Sequence, residues 1–503
     1  MNLMGMKKLL KSPIVWLIIL LGVFLVSRLI HLTALPIFTD EAIYIRWSQI
    51  GAYDAGWRFI SLTDGKQPFF TWLVMASVRL FKDPLFAGRF VSIIAGLFSI
   101  VGLFVLSKEL FHKKYIGLIA GMLYVISPFA YMYDRLAIYD AWVAAFSIWN
   151  LYLAVLLVRK IRLDVALIFG LTLGVGMLNK TSAFFSLYLL PATIILFDFK
   201  QKEKMKKIAK WVGLCVLAAI LSQVVYSVLR LSPFFYIISQ KDALFVYPFK
   251  EWLVHPFTFF QGNLHGLFDW LIHYLTWPMC IVVIASLIFP KKQYVEKLLL
   301  IGWWFAPFVA LALFGRVLYP RFILFMTMPL LVLAANFFDW CLLSVKPAFL
   351  KWLIVVACCF PSALLSYQMM TDIKTAPIPV SERGQYVSDW PSGWGTNDVV
   401  AFLQKNSQEK QIAVYTEGTF GLFPYALEIY LWENKNVEIH GVWPMEKTMP
   451  EIIKKSAEEK DTYFVSNFTQ DKINWPLQLI AQYQKGTNQS AFMRLYKVEL
   501  PKE

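Results

Sequence analysis

A chain of 503 residues that is 58% hydrophobic, 17% aromatic and only 16% charged carries more apolar surface than a soluble domain can bury, so most of it has lipid as its solvent. The formal net charge of +15 could suggest nucleic acid. That reading is rejected, because Lys and Arg cluster in short loops between apolar runs, as the positive-inside rule expects.

In chain order, Lys7, Lys8 and Lys11 precede a first apolar run that is too long for a signal peptide and lacks a small-residue cleavage site. It reads as a retained anchor. A spanning helix needs ~20 apolar residues. Segments 13–35, 85–106, 115–131, 141–158, 163–178, 181–198, 209–229, 267–289, 297–314, 322–339 and 349–368 meet or approach that length, which predicts about eleven spans. With these spans the basic clusters all fall on one side, at Lys108/Lys113/Lys114, Arg159/Lys160/Arg162, 202–210, Lys291/Lys292 and Lys346/Lys351. That side is the cytoplasmic one, and the N-terminus shares it. The 202–210 cluster serves topology and contact with anionic lipids. The cysteines Cys215, Cys280, Cys341, Cys358 and Cys359 lie in or beside apolar segments and read as packing residues.

Residues 67–81 are apolar but short. Counting them as a span would break the alternation of charge, so they are expected as an interfacial helix with Trp72 and the phenylalanines at headgroup level. Two long outer loops follow from this topology, 36–84 and 230–266. From about residue 377 charges become frequent and long apolar runs end. Strand-like runs at 411–416, 437–442, 462–466 and 492–498 alternate with helical patterns such as 398–404, which predicts a small α/β domain over 377–503 on the outer side. Glycines 393 and 395, with Trp390 and Trp394, mark a turn-rich entry to it. Asn467 and Asn488 head sequons there, a pattern frequent by chance. The expected fold is an α-helical polytopic membrane protein with a catalytic domain over 1–370 and a small extracytoplasmic α/β domain.

Carboxylates at the edge of so apolar a chain are costly and read as functional by default. The acidic pair Asp40-Glu41 lies just beyond the first span, and Asp140 falls at the same face two helices later. Asp64, Lys66, Arg89, Asp134, Arg135, Lys180, Arg230, Arg316 and Arg321 join them there. A carboxylate can take the proton from an acceptor hydroxyl. Cations can hold a phosphate and the charge that develops as it leaves. A lipid-borne phosphate would have its head at this interface.

These residues also carry a resemblance. The pair Asp40-Glu41 with Tyr44, the stretch GKQPFFTWL at 65–73, GRFVS around Arg89, RLAIYDA with Arg135 and Asp140, LNKTS with Lys180 and YPRF with Arg321 are together similar to the GT-C superfamily of polyprenyl-phosphate-sugar glycosyltransferases. The nearest branches are the protein O-mannosyltransferases and the lipid A aminoarabinose transferases. The resemblance spans 30–340. It implies an inverting transfer from a polyprenyl-phosphate sugar, with Asp40 as the base and Glu41 and Asp140 helping to place substrates. Lys66, Arg89, Lys180 and Arg321 would hold the donor phosphate, and Tyr44 and Arg135 would position substrate. Gln67 interrupts the family's KPP, and Gly65 stands where the aminoarabinose branch has an acidic residue. A divalent metal is left open, with Asp64, His255 and His265 as candidate ligands.

Plainer readings exist for each residue. Asp40 and Asp140 could cap helices, Asp134 and Arg135 could pair with each other, Lys180, Arg316 and Arg321 could be interfacial anchors, and the two histidines could be packing or capping residues. The function expected is transfer of a sugar to a protein, glycan or lipid acceptor at the outer face of the cell membrane. A transporter or lipid flippase is the alternative, and lacks the duplicated halves that such proteins show. A non-catalytic scaffold would leave the ordered Asp, Lys and Arg set unexplained.

Overall fold

The computed structural model describes residues 12–500. The lysines at positions 7, 8 and 11 lie outside the described residues. The chain forms two compact units, one of Met1–Ile30, Phe59–Phe70 and Val91–Met369, the other of His31–Arg58, Thr71–Phe90 and Met370–Glu503.

The first unit is helical. Among the described residues six helices are long and apolar enough to cross a membrane: Pro84–Phe111 (which begins in the second unit), Asp140–Lys160, Lys204–Leu231, Tyr294–Phe314, Pro320–Ser344 and Ala348–Thr371. Shorter apolar helices, Pro13–Leu29, Lys114–Ile126, Leu163–Asn179 and Thr181–Leu196, fall where other spans were expected. The span expected over 267–289 is instead a pair, Phe260–Leu275 and Trp277–Ile288, bent by 99°. Thr276 between them has φ 69° and ψ 145°, and Pro278 has no N–H to continue the ladder. The 181–198 stretch also departs from a regular α-helix, since 3₁₀ turns flank a short helix at Phe184–Tyr188. A buried ion pair crosses this unit. Arg28 meets Asp134 at 3.2 Å, and the Tyr124 hydroxyl donates to the same carboxylate at 2.7 Å. Asp134 therefore does not pair with Arg135, whose guanidinium donates to the Ile30 carbonyl at 2.8 Å. A buried charge takes a partner that folding brings to it, and sequence adjacency does not set the choice.

The stretch 67–81 forms the helix Phe69–Ser77, one side of which is buried while Trp72 is half-buried and Ala76 exposed. Phe70, Thr71 and Val74 have no exposure. An apolar face of this period fits lipid and protein equally well, so periodicity could not choose between them.

In the second unit five strands form a mixed sheet of order β2-β1-β3-β5-β4. They are β1 Ile412–Glu417, β2 Val437–Val442, β3 Asp461–Ser466, β4 Leu477–Lys485 and β5 Asn488–Val498. β1 runs parallel to β2 and β3, and β5 runs antiparallel to β3 and β4. Helices Tyr425–Leu431 and Glu451–Glu459 make the crossovers that parallel strands require. Ala413, Tyr415, Ile453, Phe464, Trp475 and Val498 form a core on one face. The Asn467 sequon is sealed in this unit. Its amide nitrogen donates to the Trp390 carbonyl at 2.8 Å and its oxygen accepts from Lys485 at 2.5 Å.

Candidate functional site

In the first unit a tight turn places Lys66. The 3₁₀ turn Ile60–Asp64 ends at Gly65, whose φ is +66°. A Cβ at Gly65 would stand 2.6 Å from the Lys241 Cβ and 2.8 Å from the Ile237 carbonyl oxygen, so only glycine lets the turn close on the helix Ile237–Phe245. Asp64 locks that contact through Lys241 at 2.6 Å. The next residue, Lys66, then has its ammonium 5.1 Å from the centre of the Phe245 ring.

Phe245 lies 6.0 Å from Phe322, centre to centre, and two further cations meet at Phe322. Lys180 sits 4.5 Å from the Phe322 ring centre, and the Arg321 guanidinium 5.9 Å from it and 4.6 Å from Tyr319. Three of the four expected phosphate-binding cations thus gather about one aromatic pair. Asp140 opens the helix Asp140–Lys160 as its first residue, with Tyr139 at the cap position, and holds Lys180 at 2.6 Å. Asn179 ties the two helix ends together by donating to the Tyr139 carbonyl at 3.1 Å. Asp242, on the same helix as Phe245, accepts from the Thr181 hydroxyl at 3.3 Å. Burial raises its pKa, while Thr181, Lys66 and Lys180 pull it back. Sequence reading did not single out Asp242, Phe245 or Phe322: the first two lie in the 230–266 loop, where only His255 and His265 were marked, and Phe322 entered only as the last residue of YPRF. Gln67 is also here, buried, with no hydrogen bond from its amide nitrogen. Arg135 stacks its guanidinium 4.7 Å from the Tyr131 ring centre.

In the second unit Asp40 and Glu41 lie in the first turn of the helix Thr39–Tyr53. Carboxylates are favoured at this end of a helix, where unpaired N–H groups give a positive field. Their surroundings differ. Glu41 has no exposure, whereas Asp40 is half-buried. Glu41 takes a forked bond from Arg89, at 2.8 and 2.7 Å, and accepts from the Phe38 N–H at 3.3 Å. Arg89 gives its remaining protons to the carbonyls of Leu32 and Leu35 at 2.8 Å and of Pro36 at 3.2 Å. A guanidinium so enclosed has nothing left for a phosphate, and the expected phosphate role of Arg89 gives way to that of a brace for the 32–41 segment. Tyr44, one turn on, is buried against Trp47.

The metal candidates do not assemble. Among the described residues no three His, Cys, Asp or Glu side chains come together as a metal site. Asp64 is held by Lys241, and His255 and His265 are exposed.

Residues 65–226 match the model of the dolichyl-phosphate-mannose-protein mannosyltransferase family. No curated protein matches the chain. Among solved structures the fold is similar to that of ArnT from Cupriavidus metallidurans bound to undecaprenyl phosphate, with a TM-score of 0.60 and 14% identity over 96% of this chain and 98% of that one. The same protein in the apo state matches with a TM-score of 0.58 and 13% identity, over 96% and 97% of the two chains. The family model matches part of the chain, and the likeness to ArnT runs along nearly all of it, so the two proteins share a fold.

Proposed function

We propose that this protein moves a sugar from a polyprenyl-phosphate donor to an acceptor hydroxyl, with inversion, at the extracytoplasmic face of the membrane. The observation that carries the reading is the convergence of Lys66, Lys180 and Arg321 on the Phe245 and Phe322 rings. Aromatic faces give a lipid-borne headgroup an apolar bed, and the cations above them answer its charge. ArnT, of similar fold, is known with undecaprenyl phosphate bound, which is the donor's leaving group without its sugar.

In the proposed reaction the Asp40 carboxylate takes the proton from the acceptor hydroxyl as its oxygen attacks the anomeric carbon. The bond from that carbon to the phosphate oxygen breaks, and the electron pair leaves with the lipid phosphate. Lys66, Lys180 and Arg321 stabilise the charge on that phosphate. Asp140 keeps Lys180 in place, and Glu41 with Arg89 fixes the turn from which Asp40 projects. The half-buried setting of Asp40 suits a group that must meet substrate.

The test is Asp40→Asn in purified protein reconstituted in lipid, supplied with a panel of labelled polyprenyl-phosphate sugars and cell-envelope acceptors. Transfer should fall by about 10²–10⁴-fold, the range of general-base effects, while donor binding persists. Retained transfer would remove Asp40 as the base.

A further inference from the structure

Lys485 ends β4 and has no solvent exposure. Its ammonium donates to the carbonyl oxygens of Asp389 and Trp390 at 3.2 Å and Ser392 at 2.8 Å, and to Oδ1 of Asn467 at 2.5 Å. A buried charge costs several kcal/mol of lost hydration, so a lysine enclosed in this way is a costly means of filling space. The cage extends further. Glu417 accepts from the backbone N–H groups of Asn467, Phe468 and Thr469 at 2.7–3.0 Å, which fixes the turn that carries Asn467.

The loop that Lys485 grips meets the start of the helix Thr39–Tyr53. Pro391 accepts at its carbonyl from the Thr39 N–H at 3.0 Å and the Thr39 hydroxyl at 3.2 Å. Gly393 donates to the Ile37 carbonyl at 2.9 Å, and a Cβ there would come within 2.4 Å of that oxygen. Phe38 bridges Ser392 in antiparallel fashion, with its ring edge-on to Tyr386 at 4.7 Å. The residue after Thr39 is Asp40.

We propose that Lys485 is a positioning residue for the Asp40 carboxylate, acting through the 389–393 loop, so that the C-terminal sheet is part of the device that orients the base. The proposal rests on the reading of Asp40 above. It gives the sheet a part in catalysis, because a general base must be held to a fraction of an ångström and loops reach that only when braced. Arg89 and Glu41 hold the segment from one flank, and the Lys485 cage holds it from the other.

The experiment compares wild type, Lys485→Met, Thr39→Val and the double variant, as full-length protein in lipid. Amide hydrogen exchange over 37–41 and 389–393 is read beside steady-state transfer. In Lys485→Met the Thr39 and Gly393 amides should exchange about tenfold faster or more, with kcat down about tenfold and the donor KM within about twofold, since an ill-aimed base weakens the transition state and not the binding of donor. Thr39→Val, which leaves the cage whole, should lose about two- to fivefold in kcat. The double variant should be little worse than Lys485→Met alone, because both changes act through one contact. Unchanged exchange at 37–41, faster exchange with unchanged kcat, or a rise in KM equal to the loss in kcat would each overturn the proposal. Should Lys485→Met fail to fold, Thr39→Val decides, and normal exchange with normal kcat there rejects the idea. A wild type with no transfer at all would sink the Asp40 reading instead, while exchange would still report whether Lys485 holds the segment.

Discussion

Two neighbouring carboxylates differ in setting: Asp40 is half-buried, and Glu41 is fully buried against a cation. Glu41 and Arg89 form a closed, fully buried pair, and three backbone carbonyls complete the guanidinium's bonds. Breaking such a pair leaves an uncompensated charge, which costs about 3–5 kcal/mol. Arg89→Met should therefore lower the stability of the protein by about that amount, and restoring charge balance with Glu41→Leu in the same chain should recover much of it. Thermal unfolding in detergent makes the comparison. A loss confined to donor affinity, with stability intact, would return Arg89 to the phosphate. The sequence singled out Glu41 and Arg89, but 48 positions separate them, and spacing alone could not say that each was the other's partner.

At the scale of elements, the turn at 60–65 and the helix Ile237–Phe245 form one piece of machinery. Lys66 is aimed by the glycine before it, and the ring it faces belongs to the helix that this glycine touches. Gly65→Ala forces a side chain into a left-handed backbone position with a clash behind it, at a cost of about 1–3 kcal/mol if the turn is kept. The turn should shift instead, displacing Lys66. The donor KM is expected to rise about tenfold, equivalent to ~1.4 kcal/mol of lost binding, with the pH profile of kcat unmoved. Titrating the donor in the transfer assay checks this, and an unaltered KM would detach Lys66 from the phosphate. Elements also show where reading the chain fell short. β4 was missed because its sequence, LQLIAQYQK, mixes polar and apolar residues without a long apolar run and lies at the edge of the sheet. β1 was found because all six of its residues are buried. An edge strand needs no continuous apolar run, so it leaves little signal.

At the scale of the molecule, the second unit should carry a pH signature of its buried lysine. Burial draws Lys485 down to about 7, against Asp389 and Glu417, whose charges raise it. In the unfolded chain its pKa returns to about 10.4. Between these values the unfolded state binds more protons, so the stability that Lys485 permits is least below pH 7 and grows as pH rises toward 10. The unfolding temperature of wild type minus that of Lys485→Met should thus increase from pH 7 to pH 10. A flat difference would mean that Lys485 does not titrate in that window.

The sequence by itself determined that this is a multi-pass membrane protein with a small α/β segment at its C-terminal end, and it identified the acidic pair and the cations as the residues to watch. Solvent explains why: lipid demands long apolar helices whatever their partners, and charges that survive near it stand out. Tertiary structure alone decided the partners. It gave Arg28 to Asp134, Arg89 to Glu41 and Lys180 to Asp140. It also brought Phe245 and Phe322 under three cations, and fastened residues 37–39 to a loop more than 350 positions later in the chain. Such pairings depend on which groups packing brings within about 3–6 Å of each other, and no local pattern along the chain encodes that distance.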